Sequence, residues 1–223
     1  MHHSTSLDAY LAPARTQPGA WRFVLGFIIT IGVYVIGMIL VVLGWVLLRW
    51  LMLGDANLAL ESMGGLAVPG SRAGIIVTLL SFVGIWVGLA IALRVMHGQS
   101  FWTLFDPGRR IQWRDLGRGI LLALVFSCVS LAIASMFVGL PTQAQDIGSW
   151  AVLLVPLMAC VFLQATAEEL LFRGYLLQQL GTRFGSVIAW ALIPSLLFGM
   201  MHFWNAEGAA AYYYVGITGI TGL

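Results

Sequence analysis

The chain has 223 residues, 60% hydrophobic and only 9% charged, with a net charge of +2. A soluble domain carries about 25% charged residues, so the composition excludes a water-soluble globule, and so small a net charge gives no basis for binding nucleic acid. The basic residues are all arginine, which together with the Ala- and Gly-rich usage points to a GC-rich bacterial genome.

Residues 1–22 form a polar lead-in, expected to be poorly ordered. The first apolar run begins near Phe23 and is too long for the h-region of a signal peptide. A membrane-crossing helix needs about 20 mostly apolar residues. Five stretches meet or approach that length, at roughly 23–48, 73–93, 117–140, 150–178 and 184–203, and a sixth starts at Ala209. The expected fold is therefore all-α: a polytopic membrane helix bundle with five complete spans and the start of a sixth, in a single domain over 23–223. We expect the natural chain to continue beyond Leu223, because the last stretch is short for a crossing.

Gly84 and Gly88 in the second stretch make a GxxxG, which permits close helix approach. The loop that follows mixes Trp102, Phe105 and Trp113 with Arg109, Arg110, Arg114 and Arg118. That mixture suits a headgroup-level segment in contact with membrane lipid. Cys128 and Cys160 lie in apolar runs without metal-ligand spacing and read as small buried hydrophobes. An inside N-terminus puts Arg15, Arg22, Arg94, Arg109, Arg110, Arg114, Arg118 and Arg183 on the cytoplasmic side and only Arg49 and Arg72 outside, a positive-inside pattern. The expected location is the bacterial inner membrane.

The fourth stretch carries the chemistry. Glu168, Glu169 and Arg173 fall within six residues of an otherwise apolar run. Each costs roughly 2.5–3.5 kcal/mol to insert at the centre of a membrane helix, so such residues usually face a protein interior or a cavity and carry function. Helical spacing makes Glu169 and Arg173 i, i+4 neighbours in the favourable order. Glu168, rotated about 100° away, shares a face with Gln164, Leu171 and Tyr175. One carboxylate is thus paired and one comparatively free, and a free carboxylate in a low-dielectric site is a candidate general base. A charge cluster snorkelling to water from the helix end is the structural alternative. In the fifth stretch Phe198, His202 and Asn205 share a helical face, and His202 is the only histidine in a predicted span. Imidazole and carboxylate on neighbouring antiparallel helices can share a water or a metal ion.

Glu168-Glu169-x-x-x-Arg173 followed by Phe198-x-x-x-His202 resembles the first two motifs of the CPBP family, the bacterial relatives of CAAX-processing intramembrane endopeptidases, also called the ABI family. The resemblance implies that Glu168 activates water with help from His202, while Glu169 and Arg173 orient the site. Its substrate would be a membrane-associated peptide or protein; prenylated substrates are not expected of a bacterial protein. The family's third motif, a histidine followed four positions later by Asn or Asp, is missing from this chain, since no histidine follows His202. Two readings therefore stand together: an intramembrane hydrolase, and a non-catalytic membrane partner such as an assembly factor, an immunity protein or a subunit of a larger membrane complex. A divalent metal such as Zn, held by Glu168 and His202, and a metal-independent glutamate mechanism are both consistent with these residues.

Overall fold

In a computed structural model, residues 6–68, 70–105, 111–138, 147–205 and 207–222 are described. All regular structure among them is helical. In chain order the α-helices are α1 (Ser6–Leu11), α2 (Ala20–Leu53), α3 (Ala56–Glu61), α4 (Arg72–Ser81), α5 (Val83–His97), α6 (Trp113–Val138), α7 (Ile147–Glu169), α8 (Leu177–Arg183), α9 (Ile193–Met201) and α10 (Ala209–Thr221). Two π-helical segments interrupt the later helices, Leu170–Leu176 between α7 and α8 and Ile188–Leu192 before α9.

Four helices are long and apolar enough to cross a bilayer: Ala20–Leu53, Arg72–His97, Trp113–Ile133 and Ala151–Arg183. They make the chain an integral membrane protein. The fifth apolar helix, Ile188–Met201, and α10 are shorter than a full crossing needs. α2 has 34 residues and so runs roughly 50 Å, well past the hydrocarbon core. Gly54, with φ of 70°, ends it in a left-handed cap, and the Asp55 carboxylate accepts from the Asn57 and Leu58 amides to start α3. The second apolar stretch bends at Phe82, which caps α4 and opens α5. It also runs further than hydropathy indicates, to His97, where Gly98 caps it.

α2 and α5 form the most extensive helix pair, and the GxxxG makes their approach possible. A Cβ on Gly84 would lie 2.8 Å from the Tyr34 Cα, and one on Gly88 the same distance from the Thr30 Cα and carbonyl oxygen. Only hydrogen fits there. The core then forms between α5 and the π-helical segment: Phe82, Ile85, Leu89 and Leu93 pack against Ala167, Leu170, Leu171, Phe172, Tyr175 and Leu176. The Trp86 indole donates to the Leu163 carbonyl at 3.2 Å and fixes α5 against α7 one turn before the acidic pair. α6, by contrast, leaves its apolar side chains exposed, as suits a helix surrounded by lipid.

Two expectations change. The N-terminal lead-in is folded from Ser6 onward, because its few apolar residues have a place to go. Leu11 and Ala14 are buried against the bundle, and the Tyr10 hydroxyl donates to the Leu104 carbonyl at 2.8 Å. The cysteines are less buried than their apolar setting implies. Cys128 is exposed on α6 and Cys160 half-buried on α7, because these faces point outward to lipid. In the aromatic loop, Trp102 and Trp113 are exposed as a headgroup contact requires, whereas Phe105 packs towards Trp86. Arg109 and Arg110 lie outside the described residues.

Candidate active site

Glu168 and Glu169 close α7, and Arg173 lies in the adjoining π-helical segment. A π-turn adds one residue to the ladder and swings the downstream helix by about 100° relative to the upstream one. The face expected from α-helical spacing therefore holds only up to the junction. Gln164 and Glu168 still meet, the Gln164 amide donating to the Glu168 carboxylate at 3.0 Å. Tyr175, placed on that face by simple spacing, is instead fully buried in the core.

The Glu169–Arg173 pair forms as the spacing predicts. The guanidinium also does more than orient one carboxylate. It donates to the Thr221 carbonyl at 2.7 Å and to the Gly222 carbonyl at 3.3 Å, and it lies 5.5 Å from the centre of the Phe198 ring. Arg173 therefore ties the acidic segment both to α9 and to the end of α10, where a helix leaves unmet carbonyls. The Ser195 hydroxyl, buried on α9, donates to the same Gly222 oxygen at 2.7 Å. Glu168 remains within Coulombic reach of Arg173.

A cavity of about 320 Å³ opens beside this pair. Its charged lining is Glu169 and Arg173, its remaining walls include Leu104, Phe162, Thr166 and Leu170, and Tyr10 reaches in from the N-terminal segment. The paired carboxylate, not the comparatively free one, faces this cavity, and Glu168 lies on the Gln164 side of α7. The Tyr10 hydroxyl is also 3.4 Å from the Arg173 carbonyl. Burial pushes the Tyr10 phenol up to about 12, with hydrogen bonding from Gln178 acting the other way.

His202 caps the end of α9. Its Nδ1 lies 2.8 Å from the Phe198 carbonyl oxygen. A carbonyl only accepts, so Nδ1 carries a proton, and in the neutral ring Nε2 keeps its lone pair. Because α9 stops at Met201 and gives way to a 3-10 turn at Phe203–Asn205, Asn205 does not continue the face of Phe198 and His202. The Asn205 side chain lies outside the described residues.

Among the described residues no hydrogen bond joins His202 to Glu168, and the link between their helices is aromatic. The Phe172 and Phe198 ring centres are 5.3 Å apart, and Phe198 and His202 are 4.7 Å apart. The short connection after Arg183 makes α9 run back along the preceding helix. The described residues do not assemble a zinc site, since no three His, Cys, Asp or Glu side chains come together, and catalytic zinc takes three protein ligands.

One residue escaped the sequence reading altogether. His97 is 1% exposed, and its Nε2 lies 3.0 Å from the Tyr175 hydroxyl. It stands past the apolar window of its helix, so hydropathy gives it no weight.

Fold and site together define an α-helical integral membrane protein with two adjacent acidic residues and an arginine inside a helix long and apolar enough to cross a bilayer. Residues 148–223, which contain both motifs, match the family described as type II CAAX prenyl endopeptidase Rce1-like. Over 222 residues the chain is 26% identical to the uncharacterized protein YyaK of Bacillus subtilis (strain 168), a match that spans 96% of this chain and 71% of that protein. Both findings support membership of the CPBP family. No solved structure matches the chain.

Proposed function

We propose that this chain is an intramembrane endopeptidase of the CAAX-protease type, acting on a membrane-associated peptide or protein tail in a bacterial inner membrane. The observation that carries the reading is the Arg173 hub. It holds Glu169 and the Phe198 ring together, so the segment that carries Glu168 is tied to the helix that ends at His202. In this reading Glu168 takes a proton from water, and the water oxygen bonds to the substrate carbonyl carbon. The tetrahedral adduct collapses with loss of the C–N bond, and the proton passes from Glu168 to the leaving nitrogen. His202, through Nε2, shares the hydrogen bonding of that water, and Glu169 with Arg173 keeps the helices in register.

Comparison of protein N-termini in membranes of cells producing wild type, Glu168→Gln or His202→Ala provides the test. Cleaved products present with wild type and lost with both variants are expected. Identical N-terminal profiles, with all three proteins at equal abundance, would leave the second reading, a non-catalytic membrane partner. The observation on that side is that Glu168 and His202 each bond within their own helix.

A further inference from the structure

A second polar centre lies at the end of the bundle where α2 begins and α5 and α8 end. His97, Gln99, Gln178 and Gln179 are all at least nine-tenths buried, yet each keeps one polar atom without a partner among the described residues: His97 Nδ1, Gln99 Oε1, Gln178 Oε1 and Gln179 Nε2. The Arg183 Nε is a fifth such atom. Buried polar atoms are nearly always hydrogen-bonded, so each of the five calls for a partner that the described side chains do not supply. Their chemistry says which. Gln99 and Gln178 offer acceptors, whereas Gln179 and Arg183 offer donors. An anion would satisfy only the donors and a cation only the acceptors. The His97 ring requires the same versatility. The Tyr175 hydroxyl has one proton and two neighbours, the Phe23 carbonyl at 3.2 Å and His97 Nε2 at 3.0 Å. Whichever it serves decides whether His97 Nδ1 must donate or accept. Water does both, and buried water typically takes about 2–4 such partners.

The N-terminal segment closes this centre. Gln99 donates to the Pro13 carbonyl, and Arg183 donates to the Gly19 carbonyl at 2.9 Å. Tyr10, on the same segment, lies beside the Gln178 amide and also lines the cavity that holds Glu169 and Arg173. Along the helix, Arg183, Gln179, Gln178 and Tyr175 descend from the bundle end towards Arg173, a distance of roughly 15 Å at 1.5 Å per residue.

We infer that the side chains of His97, Gln99, Gln178, Gln179 and Arg183 hold a cluster of water beneath the N-terminal segment, and that this cluster feeds the cavity at Glu169 and Arg173 past Tyr10, on the face of α7 next to the one that carries Glu168. The feeding role rests on the proposed peptidase activity; the water cluster does not. A peptidase surrounded by lipid needs such a supply, and this route enters through polar groups instead of across the apolar walls.

Hydroxyl-radical footprinting of the full chain in nanodiscs, with radicals generated by X-ray radiolysis of water, reads bound water directly. Tyr175 and His97 should be oxidised despite their burial, while the equally buried Phe172 stays unmodified. Tyr175 and His97 as inert as Phe172 would overturn the inference whatever the cleavage result. Gln178→Leu should reduce labelling of Tyr10 and Tyr175 and slow cleavage, and Gln99→Leu, on the opposite side of the centre, covers the case in which the first variant does not fold. A folded, unlabelled variant that cleaves at the wild-type rate would overturn the supply route. A labelled wild type without detectable cleavage, and with Tyr10 labelling still dependent on Gln178, would support the water route and count against the peptidase.

Discussion

Arg173 is the residue on which most of the site converges. It meets a carboxylate one turn away and, from two segments distant in the chain, two carbonyls and an aromatic ring. The ion pair itself is half-exposed, with Glu169 at 53% and Arg173 at 30%, so it contributes only about 0–1 kcal/mol by comparison with surface pairs. The carbonyl contacts matter more, because hydrogen bonds from a charged donor contribute roughly 1.5–3 kcal/mol each. Arg173→Ala should therefore lower unfolding stability in detergent by about 2–4 kcal/mol. Glu168→Gln keeps an oxygen for the Gln164 amide and should change stability by less than about 1 kcal/mol while removing function. Equal unfolding curves for wild type and Arg173→Ala would show that the clamp to α10 does not hold the fold. The spacing of Glu169 and Arg173 made their pairing readable from sequence. The two carbonyls were not readable, since nothing in residues 221–222 marks them as acceptors; any helix end offers carbonyls, and only the fold decides which cation finds them.

At the scale of elements, what was legible came from periodicity, and what was missed broke it. The apolar stretches marked the helices, and the GxxxG marked a close helix approach without indicating α2 as the partner. The π-helical segment at Leu170–Leu176 was invisible, because an apolar run looks alike whether its turns hold 3.6 residues or more. The folded N-terminal segment was missed for a related reason. Two buried side chains, Leu11 and Ala14, are too few to give a period, yet with the Tyr10 hydroxyl they suffice to anchor it. The α2–α5 contact gives the prediction that belongs at this scale. Gly88→Leu forces a side chain into the Thr30 backbone, and overpacking of this kind costs about 1–3 kcal/mol. Gly44→Leu, on the lipid-facing part of α2 with nothing within 4 Å of its Cβ position, is the matched control. Lower melting temperature for Gly88→Leu but not for Gly44→Leu, measured in the same detergent, is the expected result. Equal effects would mean that lipid or detergent contacts, and not close packing, set the α2–α5 interface.

At the scale of the whole molecule the arginines sort by depth as well as by loop. Arg22 donates to the Met96 carbonyl at 2.7 Å and Arg183 reaches Gly19, so the start of α2 and the ends of α5 and α8 share one end of the bundle. Arg49 lies 27 positions beyond Arg22 on the same unbroken helix, roughly 40 Å away, and Arg72 opens α4 at that far end. The basic cluster and the buried water centre thus occupy the same end. The positive-inside rule assigns the arginine-rich end to the cytoplasm. With Cys128 and Cys160 replaced by serine, single cysteines at exposed Ala67 and exposed Ser186 report on opposite ends. A membrane-impermeant maleimide applied to intact spheroplasts should label position 67 and spare position 186, and both should react after permeabilisation. Labelling of 186 but not 67 in intact cells would invert the protein. It would also move the water centre to the outer face, where the polar route from Arg183 to Arg173 would draw on the periplasm instead of the cytosol.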